Sequence, residues 1–390
     1  MSKNVRDVVI VAYGRSAISK TGKKGALREA NPVDFAGEVL KGVLAKIPEL
    51  ETEAIDDLIV GCAKPEYVQG YNVARIIGLR AGLPWSVAGQ TVNRFCSSGL
   101  QTISIGANAI AVGQAEVIVA GGVESMSAIP MGSDPKTWNP WVAEHEKGAY
   151  MPMGLTAENV AEKYNISREA MDAFAVESHL KATVAQESGV FNKEIIPVSG
   201  IDEAGQPIIF DQDQGIRKNS SMESLGKLPT VFKEDGKVTA GTASQTSNGA
   251  SFVVLMTREK AGNLGIKPIA VFKGFSVAGV DPSLMGIGPI YAVPRVLKQT
   301  GLTVDEMDVI ELNEAFAAQA LPCIKELNFD KEKVNPNGGA IALGHPLGAT
   351  GSILVSKALN QLERIQGKYG LVTMCIGGGM GAAAVLEMCD

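Results

Sequence analysis

Ile55-Asp56-Asp57-Leu58-Ile59 and Glu306-Met307-Asp308-Val309-Ile310 are the two stretches on which the fold turns. Each follows a helix-like segment and a loop, and each sets an acidic turn before a short aliphatic run. A run of this kind reads as a strand buried on both faces. Its occurrence near both ends of one 390-residue chain predicts two copies of an α/β unit, too long a period for a solenoid.

The neighbouring segments fit that duplication. Val8–Ala12 reads as a buried strand, and Asn31-Pro32-Val33 opens a helix carrying Phe35, Val39 and Leu40. Leu58–Gly61, Thr91–Phe95 and Val117–Ala120 read as further strands, with a helix from Cys96 to about Ala111. From Ile269 the order recurs: a strand at Val271-Phe272, a helix over Tyr291–Gln299 and a strand at Val309-Ile310. A helix over Ala349–Leu362 and strands at Gly370–Met374 and Ala382–Leu386 follow. Short β-rich runs separated by helices imply an α/β fold, with a sheet holding parallel strands and covered on both faces. The stretch from Gly122 to Gly241 breaks the pattern with scattered Met and Trp, a helix over Ser167–Ser188 and a mixed polar run. It reads as an insertion of the kind that carries ligand-binding loops. The expected organisation is residues 1–121 with 242–266 as one half, 122–241 as the insertion, and 267–390 as the other half.

Composition excludes several function classes. The net charge of −6 argues against a broad nucleic-acid face, though not against a local basic site for a phosphorylated ligand. Five scattered cysteines are too few for a disulfide framework and point to a reducing compartment, with cytosol as the default. Val8–Ala12 is too short for a signal h-region or a membrane span. No set of cysteines and histidines has metal-ligand spacing.

Three residues stand out chemically. Cys96 lies where a strand runs into small residues and then a helix, so helix N–H groups aim at its sulfur, favouring the thiolate and offering an oxyanion site. His345, in Gly344-His345-Pro346, sits in a glycine-dense loop where an imidazole can take a proton from a thiol or donate to a carbonyl oxygen. His145 and His179 read as solvated. Cys375 ends a strand and precedes Ile376-Gly377-Gly378-Gly379. Those glycines match a dinucleotide pattern only nominally, because too little chain follows for the helix, second strand and ribose-binding acid. They serve better to bring backbone N–H groups close to a thioester oxygen.

The chain resembles the thiolase family over essentially its whole length. The resemblance rests on NRFCSSGLQ (Asn93–Gln101), GGVESM (Gly121–Met126), MGLTAENV (Met153–Val160) and TAGTASQTSNG (Thr239–Gly249). It extends to ELNEAF (Glu311–Phe316), NGGAIALGHPLGATG (Asn337–Gly351) and CIGGGMG (Cys375–Gly381). It implies a thiolase-like duplicated five-layer α/β/α/β/α fold with an inserted loop domain. By the same resemblance Cys96 matches the nucleophile that becomes acylated, and His345 the residue that activates it and binds the thioester oxygen. Cys375 matches the second thiol, which moves protons. Asn313 matches the position that holds a water in one oxyanion hole, and the N–H groups of Cys96 and Gly377 would form the other. Arg217 and Ser224 match positions near the coenzyme A nucleotide; Ser244, Met153, Met285 and Phe316 match residues around the pantetheine arm and acyl pocket.

The implied activity is thiolytic cleavage of 3-ketoacyl-CoA, or its Claisen reverse, in two half-reactions through one acyl-enzyme. Coenzyme A is a co-substrate, with no permanently bound cofactor and no metal. Family members are typically homodimers or dimers of dimers, so CoA thioesters and a homo-oligomer are the expected partners, with neither nucleic acid nor membrane. Ketoacyl-ACP synthases also use Cys with His, but decarboxylate a malonyl donor; the Cys375 motif argues for proton abstraction from unactivated acetyl-CoA. A non-catalytic carrier would be expected to lack Cys96 or His345. The short-chain biosynthetic branch often has His directly before the Met-Gly of the loop motif. Pro152 stands there, which leans toward a 3-ketoacyl-CoA thiolase of broader chain length over a biosynthetic acetyl-CoA C-acetyltransferase.

Overall fold

The structure is a computed structural model describing residues 5–390. The first part of the chain supplies β1 (Val8–Arg15), β2 (Ser19–Lys20), α1 (Pro32–Leu44), β3 (Asp57–Gly61) and α2 (Val73–Arg80). It continues with β4 (Ala88–Val92), α3 (Ser98–Ala111) and β5 (Val117–Ser125). Then come α4 (Pro140–His145), α5 (Met153–Lys163), α6 (Arg168–Glu187), β6 (Val198–Ile201), β7 (Pro207–Phe210) and α7 (Met222–Gly226). β8 (Ser247–Thr257) and α8 (Arg258–Leu264) lead into β9 (Ala270–Gly279), α9 (Gly288–Thr300), β10 (Val309–Leu312) and α10 (Ala317–Glu326). The chain closes with α11 (Ala340–Leu343), α12 (Leu347–Ile365), β11 (Tyr369–Ile376) and β12 (Met380–Met388).

The strands run β10-β11-β12-β9-β1-β8-β5-β3-β4, joined at the middle by two residue pairs, Val9–Val271 and Ile10–Ala270. On either side of that seam the pattern repeats. β3 lies parallel to β5 and β4, as β10 lies parallel to β11 and, through one bridge, to Val334. A β-bulge interrupts β1 between Ile10 and Ala12, and the β9–β12 ladder slips in the same place, opposite Val385 and Leu386. Asp56 accepts the N–H groups of Glu116 and Val117 ahead of β5; Asp308 accepts those of Lys368 and Tyr369 ahead of β11. These shared features correct the expected alignment by one residue: Asp56, not Asp57, is the counterpart of Asp308.

Helices α3 and α12 pack against each other between the two halves of the sheet, while α1 and α2 cover one outer face and α9 and α10 the other. Every residue of α12 from Leu347 to Leu362 is buried. A helix enclosed on all sides needs core above and below it, which makes α3 and α12 the middle layer. Their approach is close: a Cβ on Gly99 would stand 2.8 Å from the Gly348 carbonyl oxygen.

The Cys96 segment departs from the expected strand-into-helix form. β4 ends at Val92, a short 3₁₀ turn spans Phe95–Ser97, and α3 begins at Ser98. Phe95 has φ +42°, the left-handed region that side chains rarely adopt. Local side chains hold it there. Asn93 accepts from the Phe95 N–H at 2.8 Å, and the Ser98 hydroxyl accepts from Arg94 N–H at 2.9 Å and donates to Phe95 O at 2.6 Å.

Candidate active site

Cys96 sits in this clamped turn, against Ala63, Met126 and Leu347. Burial is the main influence on its thiol and pushes it up to about 11, with Glu124 adding to the rise. The N–H groups of Gly377 and of Cys96 itself face the sulfur and oppose the rise without cancelling it. The expected stabilised thiolate is therefore corrected: desolvation outweighs the N–H dipoles, and the resting group is a thiol.

His345 arrives from Gly344, whose φ of +114° a side chain would strain. Its N–H meets the Gln245 carbonyl at 3.1 Å and the Ser247 hydroxyl at 3.2 Å. Nδ1 lies 2.6 Å from the Thr350 hydroxyl, which donates onward to Pro346 O at 3.0 Å. With that hydroxyl proton committed, Nδ1 carries the ring proton and Nε2 is the bare acceptor. Burial lowers His345 to about 4, so the ring is neutral around neutral pH. Leu347, two residues beyond His345, packs against Cys96, which brings the loop of the imidazole to the turn of the thiol.

Asn313 follows β10, and its N–H is held by Thr373 O at 3.0 Å. Asn335 brackets the preceding residue, accepting from Leu312 N–H at 2.9 Å and donating to Leu312 O at 2.8 Å. Asn313 Nδ2 stands 3.4 Å from His345 Nε2, while its Oδ1 is buried without a hydrogen-bond partner among the described residues. Cys375 is the penultimate residue of β11, buried, and its thiol is held well above the ordinary cysteine value, first by burial and then by Cys96. Cys375 is therefore protonated at rest, and its thiolate, once formed, is a stronger base than that of an ordinary cysteine.

The structure brings Met285 and Phe316 into one apolar cluster with Cys375, and Met153 packs against it. A Cβ on Gly377 would lie 3.8 Å from Met153 Sδ and from the Phe95 ring, so that glycine opens the space above the thiols. Ser244 joins this wall through its N–H bond to Ala315 O at 2.9 Å. Ser224 and Arg217 do not join it; both are exposed on the inserted stretch. The Ser224 hydroxyl is used in a capping box with Ser221, although its neighbour Leu225 belongs to the cluster. His179, expected in solvent, is 3 % exposed, and its Nδ1 accepts the Arg217 N–H at 3.1 Å. The α6 face carrying it turns inward, and burial ahead of the Arg217 charge lowers it to about 4.

Sequence reasoning assigned no role to Thr350, Ser247, Phe232 or Glu124. Phe232 meets Phe316 of the cluster edge-on at 6.0 Å between centroids. Thr350 lies within the quoted Gly-rich motif, one helical turn after Pro346, a spacing that could have flagged it. Among the described residues, no group of three or more metal-ligating side chains converges, and no helix is long and apolar enough to cross a membrane.

Known proteins resemble this chain over nearly its whole length. The family model for the thiolase N-terminal domain matches residues 8–259, and that for the thiolase C-terminal domain matches residues 266–388. The chain is 49% identical over 393 residues to a 3-ketoacyl-CoA thiolase of Bacillus subtilis (strain 168), covering 99% of this chain and all of that one. It is 44% identical over 387 residues to a 3-ketoacyl-CoA thiolase of Vibrio vulnificus (strain CMCP6), covering 98% and 100%. The crystal structure of the Bacillus anthracis acetyl-CoA acetyltransferase superposes over the full length of both chains with a TM-score of 0.92 at 40% identity. The chain belongs to the thiolase family.

Proposed function

We propose that this thiolase cleaves 3-ketoacyl-CoA with coenzyme A, giving acetyl-CoA and a shortened acyl-CoA, through an acyl-enzyme on Cys96. The observation that carries this reading is two thiols close enough to influence each other, with the N–H groups of Cys96 and Gly377 at the Cys96 sulfur, and a buried neutral imidazole facing Asn313 two residues before Leu347, which packs on Cys96. In the first half-reaction the Cys96 proton passes to His345 Nε2 as sulfur attacks the 3-keto carbon. The C2–C3 bond breaks, and the electron pair becomes the enolate of acetyl-CoA. Asn313, through the water it is proposed to hold, and His345 stabilise that enolate; Cys375 gives its proton to C2. In the second half-reaction the Cys375 thiolate takes the proton of coenzyme A. The CoA sulfur displaces Cys96, whose oxyanion faces the N–H groups of Cys96 and Gly377, and the His345 proton returns to Cys96. Run backwards, the same groups condense two acetyl-CoA molecules.

Arg217 and Ser224 are proposed at the nucleotide end of coenzyme A, with Ser244, Met153, Met285 and Phe316 along the arm and acyl pocket. Residues 1–121 with 242–266, 122–241 and 267–390 are proposed as the two halves and the inserted loop domain. A cytoplasmic homodimer or homotetramer is proposed; the free edge of β4 and the exposed Tyr71 and Trp85 beside it support self-association. The deciding measurement is thiolysis of acetoacetyl-, 3-ketohexanoyl- and 3-ketodecanoyl-CoA. Turnover of all three is expected. Activity confined to acetoacetyl-CoA would favour the short-chain acetyltransferase reading instead, and none with any of them would refute both.

A further inference from the structure

Glu124 is a fully buried carboxylate that the mechanism leaves unused. Its Oε2 accepts the N–H groups of Ala63 and Gly348, both at 2.8 Å. Its Oε1 accepts from Gln69 Nε2 at 2.8 Å and from the Cys62 thiol at 3.8 Å. Gln69 is fixed in turn, accepting the Ser125 N–H at 2.6 Å and donating to Lys64 O at 2.9 Å. The ladder registers make Ile376 the counterpart of Glu124 in the second half. An apolar side chain fills that strand end without the desolvation that a carboxylate incurs.

Two of these contacts lead to the reaction centre. Gly348 lies in the first turn of α12, the turn that also carries Thr350 and so aims His345. An anion at that helix end satisfies a free N–H and complements the helix dipole. Ala63 and Leu347, the residues beside the two bonded N–H groups, pack directly against Cys96. The carboxylate therefore stands behind the thiol and joins the wall of Cys96 to the base of His345.

Resting on the assignment of Cys96 as nucleophile, we propose that Glu124 is a positioning residue of the acyl-transfer centre. It anchors the first turn of α12 to the wall behind Cys96 through the Ala63 and Gly348 N–H groups, and its charge adds to the burial that keeps the resting nucleophile a thiol. The acyl group passes between two sulfurs, Cys96 and coenzyme A. A thiolate too well stabilised attacks weakly and leaves too easily, so a charge opposing ionisation keeps the two sulfurs matched. The other titratable groups nearby are Cys62 and Glu66 around Glu124, and Cys375 around Cys96; burial raises the Glu124 carboxyl, and the bonds from Ala63, Gln69 and Gly348 oppose that rise by favouring the anion. Glu124 is the carboxylate whose field reaches Cys96.

The test is the rate of Cys96 alkylation by iodoacetamide from about pH 6 to about pH 10, read by peptide mass, in wild type, Glu124→Gln and Cys96→Ser. Wild-type labelling should climb through about pH 9 without a plateau. Glu124→Gln should label about fivefold or more faster at about pH 8, because the opposing charge is gone, while kcat for thiolysis falls. A merely structural residue would not speed labelling, so a variant that folds yet labels no faster overturns the proposal. If Glu124→Gln does not fold, Glu124→Asp decides: the shorter side chain keeps the charge but draws it away from the Ala63 and Gly348 N–H groups, so kcat should fall with the labelling profile unmoved, and an unchanged kcat overturns the proposal. Thiolysis retained in Cys96→Ser, whose peptide serves as the unlabelled control, would instead remove the nucleophile assignment beneath it.

Discussion

Gly61 and Val123 in the first half of the sheet stand where Asn313 and Cys375 stand in the second, on equivalent strands of equivalent ladders. Ile59 likewise faces the middle layer where Glu311 does. The bulges and the turn aspartates are duplicated, but the chemistry is not. The first half contributes one sulfur on a clamped turn, and the second contributes the imidazole, the amide and the second thiol. Under the proposed mechanism the lesson is a division of labour: one copy of the unit would hold the acyl group, and the other would handle protons and oxygen charge. Because α3 and α12 cross between the halves, groups from both copies reach one place.

The comparison can be broken at its strongest point first. Cys96→Ser should lower thiolysis by about 10⁴-fold or more with an unchanged melting temperature; residual turnover within tenfold of wild type ends the assignment. Next comes a matched pair. Cys375→Ala should cost about 10³-fold in proton transfer, seen as lost α-hydrogen exchange of acetyl-CoA in deuterated buffer, yet still trap an acetyl-enzyme. Val123→Ala, at the equivalent position, should keep exchange and lose only about 1–2 kcal/mol of stability. Equal effects on exchange would dissolve the division.

A second pair compares the cores. Glu311 is pushed up to about 7, first by burial against the opposing pull of Lys357, whose Nζ lies 3.4 Å away. Lys357→Met should destabilise the protein by about 3–5 kcal/mol in urea titration, since it strands a buried acid; Ile59→Val should cost only about 0.5–1.5 kcal/mol. The smallest effect is in pH. His345 is neutral above about 4 and Cys96 remains a thiol to about 11. Stopped-flow acylation by acetyl-CoA should thus be flat between about pH 5.5 and about pH 9. A break near the ordinary histidine value would show that the imidazole is not held neutral.

Much of this was legible in the residues. The repeated acidic turn and aliphatic run located the duplication, because a buried strand admits few residue types. Cys96, His345 and Cys375 were visible as reactive groups set among glycines, where backbone can approach a ligand. The one-residue slip in the repeat was not legible, since Asp56 and Asp57 are both acidic and only the N–H groups they accept tell them apart. Nor was the burial of His179, because the polar neighbours on α6 conceal which face turns inward. The thiol state of Cys96 escaped for a related reason. Helix N–H groups can be counted from sequence, whereas the desolvation that overrides them is a property of the packed whole.

The enclosure of α12 has a consequence for the order in which the molecule opens. The amides of residues 347–362 lie between the two halves of the sheet, with no face at solvent, so breaking them requires separation of the halves and not local fraying. The helix that aims the imidazole should therefore be among the last segments to take up deuterium, and loss of activity on heating should coincide with global unfolding.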